Sequence, residues 1–224
     1  MKAMLLAAGR GQRLSPLTLY TPKPLLHVGN EPLIERHLRA LAASGFTEVV
    51  INHYWLGEQL EQVLGHGERF GLRIQWSRET EVLETGGGIY HALPLLGTDP
   101  FALINTDILT DYDFSQLRQS TLKAAAHLIL VSNPPEHPHG DFALRNGQVY
   151  DFPELTYSGM AVLSPALFAD CPGGNFRLAD WLRKKMRTSN VTGEHYQGFW
   201  LDVGNPQRLN QANAMLKNGI KRTA

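Results

Sequence analysis

A short apolar run, Met4-Leu5-Leu6-Ala7-Ala8, breaks at once into Gly9-Arg10-Gly11-Gln12-Arg13. The run reads as a buried strand, and a strand that opens into glycine and arginine restricts what the chain can build around it. Glycine has no Cβ, so backbone N–H groups there can turn toward an anion at close range. Arg10, Arg13 and Lys23 add positive charge, and Pro22 and Pro24 stiffen the segment that presents the lysine. These are the groups needed to hold a triphosphate. A dinucleotide-binding G-x-G-x-x-G turn is a poorer reading, because Leu14 stands where the third glycine belongs.

Strand-like and helix-like segments alternate through the first half. Met4–Ala8 precedes a helix over Pro32–Ser44 that stops at Gly45, then come a strand over Glu48–Asn52 and a helix over Leu56–Leu64. Leu72–Trp76 reads as a strand, Gly88–Leu96 as a helix and Phe101–Ile104 as a strand. Strands separated by helices imply parallel pairing with right-handed crossovers. The second half turns toward strands: Ala124–Val131, Phe142–Leu144 and Val149–Phe152 around the Asn146-Gly147 turn, Tyr157–Leu163 and Phe199–Val203. Helices are expected at Leu178–Met186 and Pro206–Leu216. No repeat, linker or low-complexity tract divides the chain. The expectation is one α/β domain over residues 1–224 with a mostly parallel mixed sheet, residues 1–110 serving a nucleotide and 111–224 a sugar.

Ligands of open α/β sheets sit at the carboxyl ends of the strands. Asp107 comes just after the strand Phe101–Ile104, and Asp202 just after Trp200-Leu201. Two such aspartates suit Mg²⁺, which takes a few carboxylates together with phosphate oxygens and water. The plainer alternative for Asp202 is a helix cap. For Asp107 that alternative is weaker, because Asp111 and Asp113 are better placed to cap the next element of the chain. Thr85-Gly86-Gly87-Gly88 opens a helix at a cost unless the backbone there must approach something closely.

The stretch Leu6-Ala7-Ala8-Gly9-Arg10-Gly11-Gln12-Arg13-Leu14-Ser15-Pro16-Leu17-Thr18, with Thr21-Pro22-Lys23-Pro24 after it, resembles the signature of the sugar nucleotidyltransferases. Thr106-Asp107 and Trp200-Leu201-Asp202-Val203-Gly204-Asn205-Pro206 resemble that family's two metal-aspartate elements. The resemblance implies a Rossmann-like nucleotidyltransferase fold. It also implies that Ala7, Ala8, Gly9, Gly11, Gln12, Arg13 and Lys23 bind the nucleotide, and that Leu83, Gly86, Gly87 and Gly88 recognise its base. Asp107 and Asp202 would hold Mg²⁺, while Asn105, Gly140, Glu154, Gly159 and Asp202 would line the sugar pocket. Arg13, Lys23, Asp107 and Asp202 form the implied catalytic set. The chain departs from the family at Pro153-Glu154-Leu155, where many relatives carry Glu-Lys-Pro with the lysine on the sugar phosphate. Another cation then has to serve, or the substrate is held differently.

The implied reaction is UMP transfer from UTP to a sugar 1-phosphate, with N-acetylmuramic acid 1-phosphate favoured as acceptor. Mannose or glucose 1-phosphate with another nucleotide is the runner-up, and a catalytically silent sensor of sugar nucleotides the reading from another class. The attacking phosphate is already ionised, so no general base is needed, in keeping with the lack of a Ser-His-Asp or Cys-His set. Acidic and basic residues balance at 21 each, so no overall field points to nucleic acid or an anionic membrane. A single cysteine, Cys171, excludes an intrachain disulfide, and the N-terminus does not read as a signal peptide. A cytoplasmic enzyme is expected, with nothing that calls for more than a monomer. His137 and His139 read as surface loop, and Trp55, Trp76 and Trp181 as core.

Overall fold

The computed structural model describes residues 1–217. Strand β1 (Ala3–Leu6) alternates as a doubly covered strand must, with Ala3 and Leu5 in the core on one face and Met4 in the core on the other. A short hairpin, β2 (His27–Val28) with β3 (Glu31–Pro32), leads into α1 (Leu33–Ala43). That helix buries Ile34, Leu38 and Leu41 against the sheet and stops at Gly45, whose N–H closes on the Ala42 carbonyl. Next come β4 (Glu48–His53), α2 (Gly57–Leu64), β5 (Arg73–Arg78), α3 (Glu84–Leu96) and β6 (Phe101–Asn105). Strands β5, β4, β1 and β6 lie side by side in that order, all parallel. The chain therefore winds outward from β1 on one side and returns on the other. The crevice between β1 and β6 is the reversal point where such sheets bind ligands.

The second half adds β7 (Ile108–Thr110), α4 (Phe114–Gln119), β8 (Ala126–Val131), β9 (Phe142–Arg145), β10 (Gln148–Leu163), α5 (Leu178–Lys185), β11 (Val191–Tyr196), β12 (Trp200–Asp202) and α6 (Pro206–Lys217). Strand β10 pairs antiparallel with both β6 and β8, and β11 pairs parallel with β8, so the eight-stranded sheet is mixed. Strands β7 and β12 leave the main sheet and form their own antiparallel ribbon, with Asp202 opposite Ile108.

Two sequence expectations are revised. The two strands expected at Val149–Phe152 and Tyr157–Leu163 are one strand, β10. Pro153 is tolerated inside it because residues 151–154 have no ladder partner. The register slips between Tyr157 and Met160, around Gly159. Helix α3 starts at Glu84, so Gly86, Gly87 and Gly88 lie within its first turns rather than ahead of it. Strands β7 and β11 and helix α4 carry too short or too polar a pattern to be read from sequence. Asp113 does cap α4, accepting from the Ser115 N–H at 2.9 Å.

Candidate active site

The loop after β1 forms one wall of a cavity of about 800 Å³. Gly11 opens a short helical turn at φ 62°. A Cβ there would stand 2.8 Å from Thr18 Cγ2, so the position needs glycine for both conformation and space. The Thr18 hydroxyl donates to the Gly11 carbonyl at 2.9 Å, and Trp55 Nε1 donates to the Thr18 carbonyl at 2.9 Å. Arg10 lies over the rings of Tyr54 and Trp55, 5.5 Å from each centroid. Trp55 is thus a half-exposed brace of the loop rather than core; Trp76 is also half-buried, and Trp181 is buried as expected.

In the same cavity Asn52 and Glu79 sit at the carboxyl ends of β4 and β5. Asn52 Oδ1 accepts the Ala7 N–H at 2.9 Å, and its Nδ2 donates to Glu79 Oε1 at 2.6 Å. Burial pushes the Glu79 carboxyl above the usual carboxylate range, against the hydrogen bonds from Asn52 and the Leu83 backbone. The strand-end rule that selects Asp107 also selects this pair. Glu84 lines the same cavity with φ 58°, a left-handed conformation that side chains other than glycine seldom adopt.

Ala7, Ala8, Gly9, Gly11, Gln12, Arg13, Lys23, Leu83, Asn105 and Asp107 all line this cavity. Gly86, Gly87 and Gly88 lie behind this lining, on the first turns of α3. The N–H groups of Gly86 and Gly87 both point to the Phe176 carbonyl, and a Cβ at Gly86 would strike the Phe176 ring. A Cβ on Gly88 would stand 2.6 Å from Glu79 Oε1 and 2.7 Å from Asn52 Nδ2. The glycines let α3 pack closely against the 174–176 segment and the Asn52–Glu79 pair.

A second cavity of about 400 Å³ adjoins the first, and Arg13, Asn105 and Asp107 line both. At this shared wall Lys23 Nζ donates to Asp107 Oδ2 at 2.6 Å. Burial works against ionisation of Asp107, yet the charge and hydrogen bond of Lys23, with Arg13 beyond, hold its carboxyl below the usual range. Asp202 behaves oppositely. Burial first, and then repulsion from Asp107, push its carboxyl up, with Lys23, Arg208 and Arg13 offsetting part of the effect. Its Oδ1 is buried without a hydrogen-bond partner, while Oδ2 lies 3.3 Å from Arg208 Nη1. A Cβ on Gly204 would stand 2.6 Å from Asp202 Oδ1, 2.8 Å from Arg13 Nη2 and 3.1 Å from Arg208 Nη2. Only glycine leaves room for those three side chains to converge. The capping alternative for Asp202 falls to Asn205, whose Oδ1 accepts the Arg208 N–H at 2.9 Å.

Gly159 lines the second cavity, close to the Asn105 side chain; Gly140 and Glu154 line neither. Glu154 is an exposed residue whose carboxylate is taken by a two-bond pair with Arg145, and Gly140 is packed against Asn133 and the Leu155 backbone. Arg208 and Glu136, which no sequence motif singles out, also stand on this cavity, together with Tyr157 and with His137, expected as surface loop. His137 does meet Asp141, at 3.1 Å, but among the described residues no group of three or more His, Cys, Asp or Glu is placed to hold a metal ion. No helix among them is long and apolar enough to cross a membrane.

Residues 2–154 match the nucleotidyl transferase family model. An N-acetylmuramate alpha-1-phosphate uridylyltransferase of Neisseria meningitidis is 48% identical over 96% of this chain and 98% of its own length. A mannose-1-phosphate guanyltransferase of Yarrowia lipolytica is 30% identical over 92% of this chain, which spans 61% of that protein. Among solved structures, HddC from Yersinia pseudotuberculosis complexed with GMP-PN has TM-score 0.83 over 96% of this chain and 99% of that one, at 21% identity. That likeness shows the shared fold. With the glycine-arginine loop at the reversal point of a mixed α/β sheet, and a family match over most of its length, the chain belongs to the nucleotidyl transferase family.

Proposed function

We propose that this protein transfers UMP from UTP to a sugar 1-phosphate, N-acetylmuramic acid 1-phosphate being the favoured acceptor, to give UDP-N-acetylmuramic acid and pyrophosphate. The observation that carries this reading is the shared wall. Lys23, Arg13 and Asp107 stand where the contents of the two cavities meet, with Asp202 beside them. The 48% identity to a relative that bears this activity in its name supports the choice of base and sugar.

A phosphate oxygen of the acceptor attacks the α-phosphorus of UTP in line, the new O–P bond forms, and the bond to the β-phosphate oxygen breaks. Both reacting groups are anions, so the protein's task is to position them and stabilise the crowded charge. The Gly9–Gln12 backbone and Arg13 hold the β- and γ-phosphates, and Lys23 bridges the attacking phosphate and the α-phosphate. Asp107 and Asp202 suit Mg²⁺: they offer hard carboxylate oxygens, one of them unpartnered, and they repel each other with no cation between. When bound there, the ion would supply charge neutralisation at the α-phosphate. In this reading residues 1–110 build the nucleotide side and the later residues most of the acceptor side. A cytoplasmic setting suits both UTP and a lone, buried Cys171.

The test is pyrophosphate release from a matrix of UTP, dTTP and GTP against the 1-phosphates of N-acetylmuramic acid, N-acetylglucosamine, glucose and mannose. UTP with N-acetylmuramic acid 1-phosphate is expected to give the highest kcat/KM. Equal values for the two amino sugars would overturn the acceptor assignment, and no turnover with any pair would favour a silent sensor.

A further inference from the structure

An acceptor phosphate requires a cation, and the second cavity is lined by two arginines, Arg13 and Arg208. We infer that Arg208, in the first turn of α6, is the residue that grips the phosphate of the sugar 1-phosphate. The inference rests on the transferase reading but not on which sugar or base is used.

Four observations converge on it. Arg208 is buried, with 9% of its surface exposed, and still lines the second cavity. A buried guanidinium is costly unless its donors are used, and it has five N–H donors. The protein occupies few of them. Nη1 donates to Glu136 Oε1 at 2.5 Å and lies 3.3 Å from Asp202 Oδ2, while Nε is buried without a partner. The position is also right. A Cβ on Gly204 would come within 3.1 Å of Arg208 Nη2 and 2.8 Å of Arg13 Nη2, so both guanidinium groups border the same glycine, Arg208 lining the second cavity and Arg13 both.

Glu136 is the fourth observation. Its side chain is 43% exposed, and it lies between β8 and β9, outside the regular elements. A half-exposed carboxylate bonded to a buried cation inside a cavity occupies the place of an anionic ligand. An incoming phosphate would displace Glu136 into solvent and take over its hydrogen bond, adding the fork geometry that guanidinium offers to phosphate. Arg208 is thus a substrate-binding residue on the acceptor side, distinct from the triphosphate grip of Arg13.

The experiment is steady-state kinetics of the full chain with Mg²⁺ and the best pair from the matrix, with thermal melts confirming that each variant is folded. Arg208→Gln should raise the acceptor KM about 10- to 100-fold, the weight of a lost charge-assisted hydrogen bond, and leave the UTP KM within about threefold. Arg208→Lys should recover at least part of that loss, because the charge remains. Glu136→Gln should lower the acceptor KM, since the internal competitor is gone. The rise in KM should be alike for N-acetylmuramic acid and N-acetylglucosamine 1-phosphates, because phosphate is common to both. An unchanged acceptor KM in Arg208→Gln overturns the inference. So does an equal rise in the UTP KM, which would mean that Arg208 acts only by supporting Asp202. A rise confined to the muramic acid substrate would move Arg208 to the lactyl carboxylate and likewise overturn it. Failure of the wild type on every pair would instead strike the transferase reading, so the two failures are distinguishable.

Discussion

Lys23 and Asp107, brought together from distant parts of the chain, form a 2.6 Å hydrogen-bonded ion pair at the wall between the two cavities. The pair preorganises the site in both directions: the carboxylate aims the ammonium, and the ammonium keeps the carboxylate ionised. Lys23→Ala should therefore lower turnover by about two to three decades, or roughly 2–4 kcal/mol of transition-state stabilisation. The KM for UTP should change much less. Turnover within threefold of wild type would falsify the role given to Lys23.

Asp202 is expected to trade stability for activity. Its carboxyl is raised, so ionising it opposes folding. That cost is absent below the ordinary carboxylate range, grows as pH rises through the elevated folded value, and is complete above it. Asp202→Asn should accordingly melt higher than wild type at pH 7.5, with the gap closing as pH falls into the ordinary carboxylate range. Activity should be lost, and Asp107→Asn combined with it should be scarcely worse than either single change. A lower melting temperature at pH 7.5 would show that Asp202 is held by contacts stronger than the repulsion it suffers.

His37 supports the turn that carries Asp107. It is buried in α1, stacked 6.1 Å from Phe114, and burial depresses its pKa from 6.5 to about 4, against the pull of the Ile108 and Thr106 backbone and of Asp107. A depressed imidazole contributes stability that is whole above pH 6.5 and is lost as pH falls toward 4. The loss should reach roughly 3 kcal/mol. Denaturant melts of wild type and His37→Gln between pH 7.5 and 4.5 isolate this contribution as their difference. Parallel curves would rule it out.

Glu84 should prove strained. A left-handed residue with a Cβ costs about 1–2 kcal/mol, part of which glycine would return in unfolded-state entropy. Glu84→Gly is therefore expected to raise the melting temperature by a few degrees, on the order of 1 kcal/mol. If it melts lower, the Glu84 side chain makes a compensating contact. If UTP binding also weakens, that contact is with the nucleotide.

The nucleotide half is the more legible in sequence, for a physical reason. Parallel strands covered on both faces show as continuous apolar runs, and the residues just past Leu6 and Ile104 mark the crevice without further information. Asp107 and Asp202 stand out on that ground. Asn52 and Glu79 satisfy the same rule at the ends of β4 and β5, but neither belongs to a motif that draws attention to it. The acceptor half resists. Strand β11 reads Val-Thr-Gly-Glu-His-Tyr, too polar to declare itself, and β10 hides one long strand behind Pro153. Gly86 to Gly88 signal close approach without saying to what. Here the neighbours are Phe176 and the Asn52–Glu79 pair. Arg208 is noticeable as the arginine in the first turn of the helix entered from Asp202-Val203-Gly204, but its partner Glu136 is visible only in three dimensions.

The β7–β12 ribbon bears on how the enzyme comes into being during synthesis. Strands β1, β4, β5 and β6 and their crossover helices are complete by residue 105, so the triphosphate side can begin to condense while the chain is still emerging. The ribbon that sets Asp202 beside Asp107 must wait for residues 200–202, and pairing across so large a separation is slow to nucleate. A nascent chain could therefore bind a nucleotide before it can consume one. Its chemistry waits on a contact that only the far end of the chain can close.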